Sequence, residues 1–400
     1  MTASFPIVFD ALKPSVERIL EQSLHVQVGI AQAVLLTDAQ RRNRVWRITL
    51  DRQRAPLLSS VIVKQVRPEG YDPENPAAPD TQRFFSDWAG AQFVSEVCRA
   101  PHGPHFYGGD RRAGFIVLED LGEHHSLVEP LLAGDRSAAM RALMAYVRRL
   151  GRLHAEAMGH EGEFDAIVRV LRLQAPSQVK WEVEWAGQVK QHLDPLIVRL
   201  DRYLAELGLT VGAAARGDIH EAFKGVFGPS PFRTFIHTDP CPDNVFYDGE
   251  TMRIFDFEFA RFGNALLDGL YCRVPFPTCW CANCVPLDVV AQVEQEYRVT
   301  LAAACPAALD DELFYAGVAA ITAHWACVRL AEPEETLKED HQWGIAGVRA
   351  RLLTQLTTFV EAARLAGRFV AFRATCEQVL VKLAQRWPDA YPLPYYPAFR

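Results

Sequence analysis

The sequence predicts an α+β fold of two lobes, a small antiparallel sheet followed by a larger, mainly helical part. Three segments with β-branched and apolar runs, RVWRITL, SVIVKQV and FIVLED, lie within the first 120 residues and are typical of strands. Beyond them apolar residues recur at helical spacing, and strand-like runs return only between 234 and 258. We therefore expect two domains, an N-terminal lobe at 1–121 and a C-terminal lobe at 122–400.

Each element follows from a local pattern. Alternating or continuous apolar runs predict the strands, clusters of Pro, Gly, Asp and Asn predict the loops, and leucines or aromatic residues at helical spacing predict the helices. In chain order we predict an ambiguous strand within 26–36, a strand pair at 44–50 and 60–66 joined by 51–59, a loop at 67–82, a helix at 81–98, a Pro/Gly-rich connection at 100–114, a strand at 115–120, helices at 137–158 and 178–207, short strands at 234–238, 244–248 and 252–258, and helices from about 286 to 386.

Composition excludes several classes of protein. The 400 residues are 49% hydrophobic and 23% charged, with a net charge of −7, which argues against a disordered chain or a basic nucleic-acid binder. The N-terminal segment has no basic and apolar leader pattern, and the apolar stretch Phe314–Ala331 carries His324 and Arg329, so we expect a core helix and no membrane partner. Nine scattered cysteines suggest reduced thiols and a cytoplasmic location.

The segment 236–258, IHTDPCPDNVFYDGETMRIFDFE, carries the chemistry. Asp248-Gly249 predicts a hairpin turn, which would bring Asn244 opposite Asp256 within about one residue of register. An amide oxygen and a carboxylate at one end of a hairpin suit Mg²⁺, which also accepts phosphate oxygens. Asp239 lies just upstream, close enough to meet a substrate hydroxyl.

This arrangement is typical of phosphoryl transfer. One Asp orients the nucleophile, an Asn and a second Asp hold Mg²⁺, and a strand lysine binds phosphates. Lys64 is the candidate lysine, because it interrupts the apolar strand SVIVKQV.

The chain resembles the aminoglycoside phosphotransferase and choline kinase superfamily, small-molecule kinases with a protein-kinase-like fold. The resemblance rests on RVWRI with VIVKQV, YGGDRRAGFIVLEDLG, LGRLHAEAMG, FIHTDPCPDNVFYD and IFDFEFARFGNALLDGLY, in the family's order from about residue 44 to 271. It implies that Asp239 is the catalytic base and that Asn244 and Asp256 are the Mg²⁺ ligands. It also implies that His237 is a structural member of the catalytic loop and that Lys64 binds the phosphates of the nucleotide.

The resemblance also implies a hinge whose backbone meets the nucleotide base, at Glu119, Asp120 and Leu121. For the ion-pair partner of Lys64 it favours Asp87, with Glu96 as second candidate. One departure concerns the loop over the phosphates, LTDAQRRNR, which has no glycine. Arg41 and Arg42 are candidates to supply charge there instead. The absence of an Ala-Pro-Glu segment argues against a protein substrate.

Several residues have structural or alternative interpretations. We expect His154 to be a satisfied core histidine and Asp268 to cap a helix or hold the catalytic loop. Cys272, Cys279, Cys281 and Cys284 fall within thirteen residues, but their spacing lacks paired CxxC motifs, so we favour reduced thiols over structural zinc. The candidates for an acceptor pocket are Glu258, Arg273 and Trp280.

These observations predict a phosphotransferase that uses ATP or GTP with Mg²⁺ and phosphorylates a hydroxyl or amine of a small molecule. Its partners would be the nucleotide and the acceptor. The alternative is a catalytically weak or inactive nucleotide sensor or scaffold on the same fold, supported by the loop without glycine. A third interpretation is transfer of a nucleotidyl group. The sequence does not identify the acceptor or the oligomeric state.

Overall fold

The structure, a computed structural model, describes residues 9–51, 58–123, 125–173, 181–331 and 335–400. The predicted connection at 51–59 and the start of the predicted helix at 178 lie partly outside these ranges. The chain forms two compact units: unit 1 comprises Met1–His125, Gly159–Pro176 and Arg253–Arg261, and unit 2 comprises Ser126–Met158, Ser177–Met252 and Phe262–Arg400.

The strands are short outside the first sheet. In chain order they are β1 (Ile30–Leu35), β2 (Asn43–Leu50), β3 (Ser60–Val66), β4 (Phe106–Asp110), β5 (Phe115–Glu119), β6 (Arg233–Ile236), β7 (Val245–Tyr247), β8 (Met252–Ile254), β9 (Arg261–Asn264), β10 (Gln342–Trp343) and β11 (Ala346–Gly347).

Helices make up most of the rest. They are α1 (Lys13–Leu24), α2 (Pro79–Glu96), α3 (Val128–Leu132), α4 (Arg136–Ala157), α5 (Glu161–Arg172), α6 (Trp181–Glu206), α7 (Ala213–Phe227), α8 (Leu266–Gly269), α9 (Leu287–Leu301), α10 (Asp311–Leu330), α11 (Glu335–Lys338), α12 (Val348–Ala366) and α13 (Val370–Arg386).

Unit 1 is built on a five-stranded antiparallel sheet with strand order β1-β2-β3-β5-β4. Apolar residues of α1, including Val16 and Leu20, pack with Trp46, Ile48 and Val61 of the sheet in one buried cluster. Burial of these side chains supplies the main stabilising free energy of the sheet. The antiparallel sheet and the helices together confirm the predicted α+β class.

Unit 2 is mainly helical. The apolar helix α10 packs against α7 and α12, and α4 packs against α9. Among the described residues, α10 is the helix long and apolar enough by composition to cross a membrane, and 67% of that stretch is buried inside the structure. This burial agrees with the core helix predicted for Phe314–Ala331.

The short strands of the second half pair in twos, β6 with β9, β7 with β8, and β10 with β11. The predicted turn between β7 and β8 is present: Asp248 accepts hydrogen bonds from the amides of Glu250 and Thr251, and Gly249 has a φ of 102°. The predicted strand at 252–258 is wrong beyond Ile254, because Asp256 turns into the left-handed region with a φ of 69°.

One strand escaped the sequence analysis. Residues 106–110 were expected to be part of a Pro/Gly-rich connection, but they form β4. A Cβ at Gly109 would lie 2.5 Å from the Trp88 ring, so a glycine is needed there for α2 to pack on the strand. The glycine that suggested a loop therefore reflects close packing.

Candidate active site

Lys64 lies on β3, the central strand of the sheet in unit 1, opposite Val45 on one side and Ile116 on the other. Its ammonium Nζ is 2.7 Å from the Asp87 carboxylate and 2.6 Å from the Asp256 carboxylate. Its side chain is 15% exposed. A lone charge in an apolar strand is thereby paired twice, which offsets its loss of hydration. We call Lys64, Asp87 and Asp256 the Lys64 cluster.

Helix α2 and the segment after β8 meet closely within unit 1. Asp87, on α2, is buried and also accepts a hydrogen bond from the Phe257 amide at 2.9 Å. A Cβ at Gly90 would lie 2.4 Å from the Phe257 Cβ, so glycine one turn after Asp87 permits this approach. The structure therefore pairs Lys64 with Asp87, the first of the two helix carboxylates considered. Glu96 instead accepts a hydrogen bond from Gln92.

The charges of the Lys64 cluster depend on one another. Burial by itself would lower the pKa of Lys64, but the Asp256 and Asp87 carboxylates raise it above its usual range. Burial raises the pKa of Asp87, and the Lys64 ammonium opposes this effect. Lys64 is consequently a cation at neutral pH, as a phosphate-binding lysine must be.

Glu258 follows Asp256 by two residues and extends toward the β1–β2 loop. Its carboxylate is 3.0 Å from the guanidinium of Arg42. Burial and the nearby charge of Asp256 raise the pKa of Glu258, while Arg42 lowers it. Glu258 is therefore engaged with the loop that was predicted to cover the phosphates.

The predicted hinge begins where β5 ends. The Glu119 carboxylate accepts a hydrogen bond from the His105 amide at 3.0 Å, and Asp120 accepts from Ser60 at 2.7 Å and pairs with Arg47 at 2.8 Å. Both carboxylates are held by protein groups. Recognition of a nucleotide base by residues 119–121 would therefore use the backbone, as the family resemblance implies.

In unit 2, β6 leads into the segment 237–244, which we call the Asp239 loop. The carboxylate of Asp268 accepts hydrogen bonds from the amides of His237, at 2.6 Å, and Thr238, at 3.0 Å. Thr238 has a φ of 72°, an uncommon backbone conformation that these two bonds help to hold. The structural role expected for Asp268 is confirmed.

Two buried histidines support this loop. His237 accepts a hydrogen bond at Nδ1 from the Asp239 amide at 3.3 Å. His154 lies 2.8 Å from the Tyr297 hydroxyl and 3.4 Å from the Asp268 carboxylate, as expected for a satisfied core histidine. The His237 ring supports the loop by accepting a hydrogen bond from its backbone, and the His154 ring supports it through its contact with Asp268.

The Asp239 carboxylate is oriented by neutral groups. Thr278 donates its hydroxyl hydrogen to Oδ1, and the Asn244 amide nitrogen lies 2.9 Å from the Asp239 carbonyl and 3.4 Å from Oδ2. The Cys241 sulfur is 3.1 Å from Oδ1. Tyr271 adds a hydrogen bond to the Thr238 carbonyl at 2.7 Å. A carboxylate fixed in this way can orient a hydroxyl and accept its proton.

The expectation of reduced thiols is wrong at two cysteines. Cys241 and Cys279 form a disulfide that joins the Asp239 loop to the segment carrying Thr278. Asp239, Cys241 and Cys279 present ligand atoms within 4.8 Å of one another, but the two sulfurs bond to each other and offer no thiolate to a metal. Burial raises the pKa of Cys281 to about 12 and that of Cys284 to about 11, so both thiols stay protonated at neutral pH.

Two acceptor-pocket candidates of unit 2 have different environments. Arg273 forms a bidentate ion pair with the buried Glu294 of α9, with Nη2 and Oε2 2.6 Å apart, which gives it a structural role. Trp280 is 40% exposed, and its indole nitrogen donates to Asp243 of the Asp239 loop at 2.7 Å. Only Trp280 is linked by a hydrogen bond to the Asp239 loop.

The donor chemistry of the two predicted metal ligands fits Mg²⁺. Asn244 uses its amide nitrogen toward Asp239, so its carbonyl oxygen is the atom left to coordinate a cation. Asp256 carries a carboxylate whose side chain is 33% exposed. Both are hard oxygen donors of the kind that Mg²⁺ prefers. The residues belong to different units, so their pairing across the hairpin stays a prediction.

Three residues around Asp239 were not predicted from the sequence: Thr278, Cys241 and Tyr271. Thr278 lies 39 residues after Asp239, in a segment noted only for its cysteines. Cys241, two residues after Asp239, was a usable signal, because a cysteine between two prolines of a candidate catalytic loop suggests a partner elsewhere in the chain. Nothing in the local pattern distinguished Tyr271 from an ordinary core aromatic residue.

Solved structures similar to this chain include three kinases of small molecules. A choline/ethanolamine kinase family protein from Mesorhizobium loti is 15% identical over 86% of this chain and 92% of its own, with a TM-score of 0.42. A choline kinase from Cryptosporidium parvum is 11% identical over 94% and 96%, with a TM-score of 0.44. A macrolide 2′-phosphotransferase from Brachybacterium faecium is 14% identical over 79% and 98%, with a TM-score of 0.41.

No curated protein matches the chain in sequence. The sequence model of the phosphotransferase enzyme family, in contrast, matches residues 36–303, more than half of the chain. This range contains the Lys64 cluster and the Asp239 loop. The family resemblance stated from the sequence is confirmed, and the chain belongs to the phosphotransferase enzyme family.

Proposed function

We propose that this protein transfers the γ-phosphoryl group of ATP or GTP to a hydroxyl or amine of a small molecule. The observation that carries the proposal is the Lys64 cluster, because residues 64, 87 and 256 meet at one buried ammonium. Such a preorganised cation is what a transferring phosphoryl group requires, since its catalysis is mostly positioning and electrostatics.

In this proposal Asp239 is the catalytic base. It accepts the acceptor's hydroxyl proton while the acceptor oxygen bonds to the γ-phosphorus and the bond to the β,γ-bridging oxygen breaks. The hydrogen bonds from Thr278 and Asn244 hold its carboxylate in one orientation, which reduces the entropy lost on reaching the transition state. Asn244 and Asp256 would hold Mg²⁺, which neutralises phosphate charge when bound.

The second candidate is a nucleotide sensor or scaffold with weak or no turnover. One observation favours it: the β1–β2 loop has no glycine, and the amides of Gln40 and Arg41 already donate to the Asp38 side chain at 2.8 and 3.1 Å. Amides used in this way are not available to a phosphate.

A thermal-shift titration of the full chain with MgATP and MgGTP tests the proposal. We expect stabilisation that depends on Mg²⁺, about 2.7 kcal/mol at a hundredfold excess over Kd. It should be lost in Asp256→Asn, a substitution that the left-handed backbone tolerates, and kept in Asp239→Asn. Equal nucleotide affinity in the two variants would contradict the division of roles.

Turnover separates the two candidates. A screen of hydroxyl and amine compounds that reads release of the nucleoside diphosphate should find an acceptor for the native chain. Asp239→Asn should lower that rate by about 10²- to 10⁴-fold. Asp243→Asn removes a carboxylate from the same loop and serves as the matched control. Nucleotide binding without turnover for any acceptor would favour the sensor.

A further inference from the structure

We infer that Arg42 binds the nucleotide's phosphates, taking the role that backbone amides play in a glycine-rich loop. The inference rests on the proposed function and adds a residue to its nucleotide site. It follows from three features of unit 1: the loop's own hydrogen bonds, the balance of charge around Lys64, and the difference between the ion pairs of Lys64 and Arg42.

The β1–β2 loop holds its backbone in internal hydrogen bonds. Asp38 accepts from the amides of Gln40 and Arg41, so a carboxylate already lies against the two amides that point toward one oxygen. Arg67 donates to the carbonyls of Arg41, at 2.6 Å, and Asp38, at 3.0 Å. A phosphate meeting this backbone would compete with a carboxylate of the same sign. The loop can therefore contribute to anion binding mainly through its side chains.

The surroundings of Lys64 carry no excess of positive charge, because Asp256 lies 2.6 Å from its ammonium in addition to the groups that line the adjoining cavity. A small cavity is lined by the cations Arg42, Lys64 and Arg83 and by the carboxylates Asp80, Asp87 and Glu258. An incoming polyphosphate therefore gains most from a cation that can exchange its carboxylate for a phosphate oxygen. Arg83 lies over the Phe259 ring, so the cations paired with carboxylates are Lys64 and Arg42, and the more weakly held of these two is the one expected to make the exchange.

Arg42 and Lys64 differ in how firmly they are held. Lys64 is 15% exposed and shared by two carboxylates at 2.7 and 2.6 Å, so moving it would leave two partly buried acids without their counter-ion. Arg42 is 38% exposed and has one ion-pair partner, Glu258, at 3.0 Å. Opening this pair frees a guanidinium that solvent already reaches, and it leaves one carboxylate, Glu258 with 11% side-chain exposure, without its counter-ion instead of two. Arg42 is thus able to exchange Glu258 for a phosphate.

The Arg42 side chain is also chemically suited to bind a phosphate group. A guanidinium presents a planar fork of donors that matches two phosphate oxygens, and it keeps its charge at every physiological pH. Glu258 accepts a hydrogen bond from one donor of this fork, Nη2, at 3.0 Å. This bond holds the guanidinium beside the cavity, where a phosphate can replace the carboxylate.

Isothermal titration of the full chain with MgATP, MgADP and adenosine tests the inference. Arg42→Ala should raise the Kd of MgATP by about 10- to 100-fold, the range for a hydrogen bond between charged groups. Adenosine lacks phosphates, so its Kd should stay within about twofold of the native value. A weaker affinity for MgATP alone would assign Arg42 to the γ-phosphate. A weaker affinity for both MgATP and MgADP would assign it to the β-phosphate.

Arg41→Ala is the matched control, because it removes the same charge from the next residue of the loop. Arg41 is exposed, and a screened charge there should change the MgATP Kd by no more than about threefold. Equal losses in Arg41→Ala and Arg42→Ala, or no loss in Arg42→Ala, would overturn the inference while leaving the proposed function intact. Failure of the native chain to bind either MgATP or MgGTP would overturn both.

Discussion

The Lys64 cluster of unit 1 and the Asp239 loop of unit 2 position charged groups in opposite ways. In the Lys64 cluster a buried ammonium is held by two carboxylates, so charge is balanced by charge. In the Asp239 loop a carboxylate is oriented by a hydroxyl, an amide and a disulfide, all of them neutral. The first arrangement fixes a cation through ion pairs, and the second fixes a carboxylate with the help of neutral hydrogen-bond donors.

The comparison predicts different weaknesses. Removing Asp87 breaks an ion pair that is largely buried, so the penalty falls on stability. Removing a neutral donor leaves the carboxylate in place but less fixed, so the penalty falls on rate.

The largest expected effect is on the Lys64 cluster. Asp87→Asn places an uncharged amide beside the Lys64 ammonium and should lower the free energy of unfolding by about 3 to 5 kcal/mol. Urea denaturation measures it. Glu96→Gln, on the same helix, is the control and should change stability by less than about 0.5 kcal/mol. A larger loss in Glu96→Gln than in Asp87→Asn would show that the pairing is not the stabilising contact.

The disulfide of the Asp239 loop comes next. Its cysteines are 38 residues apart in sequence, so replacing both Cys241 and Cys279 with Ser should lower the free energy of unfolding by about 2 to 4 kcal/mol. Urea denaturation with and without reductant measures it. The native chain should lose stability in reductant, whereas the double variant should not respond. A native chain that is insensitive to reductant would contradict the prediction.

The smallest expected effect is on Thr278, whose hydroxyl helps to orient the Asp239 carboxylate. Thr278→Val keeps the shape of the side chain but removes the hydrogen bond to Asp239, and kcat should fall by about 10- to 100-fold. KM for the nucleotide should remain close to the native value, because Thr278 contacts Asp239, Cys241 and Tyr271, none of which the proposed function assigns to the nucleotide. Thr278→Ser restores the hydroxyl and should recover most of the rate. An equal loss in Thr278→Ser would assign the effect to packing.

Much of the fold followed from local patterns. The strands β2, β3 and β5 and the helices α2 and α4 lie within two residues of their predicted positions, because β-branched runs and helical spacing are local properties. The strand β4 was not predicted from its local pattern, because its glycine at position 109 is required by the close packing of Trp88 from the neighbouring helix α2. A glycine needed for packing and a glycine needed for a turn look alike in sequence.

The residues of the candidate site also divide into those that local sequence patterns predicted and those that only the structure revealed. His237, Asp239, Asn244 and Asp256 were found because they share one short segment with fixed spacing. Thr278 and the Cys241–Cys279 bond were not found, since their partners are 37 to 39 residues apart with no pattern between them.

The sequence by itself determined the residue types, the order of the motifs and hence the family, because these depend on chemistry and spacing along the chain. The tertiary structure alone decided that Asp256 shares Lys64 with Asp87, which hydroxyl orients Asp239 and which acid holds Arg42. Those choices depend on distances of a few ångströms between residues far apart in sequence. Hydrogen bonds and ion pairs form only at such distances, which the packing of helices and strands fixes.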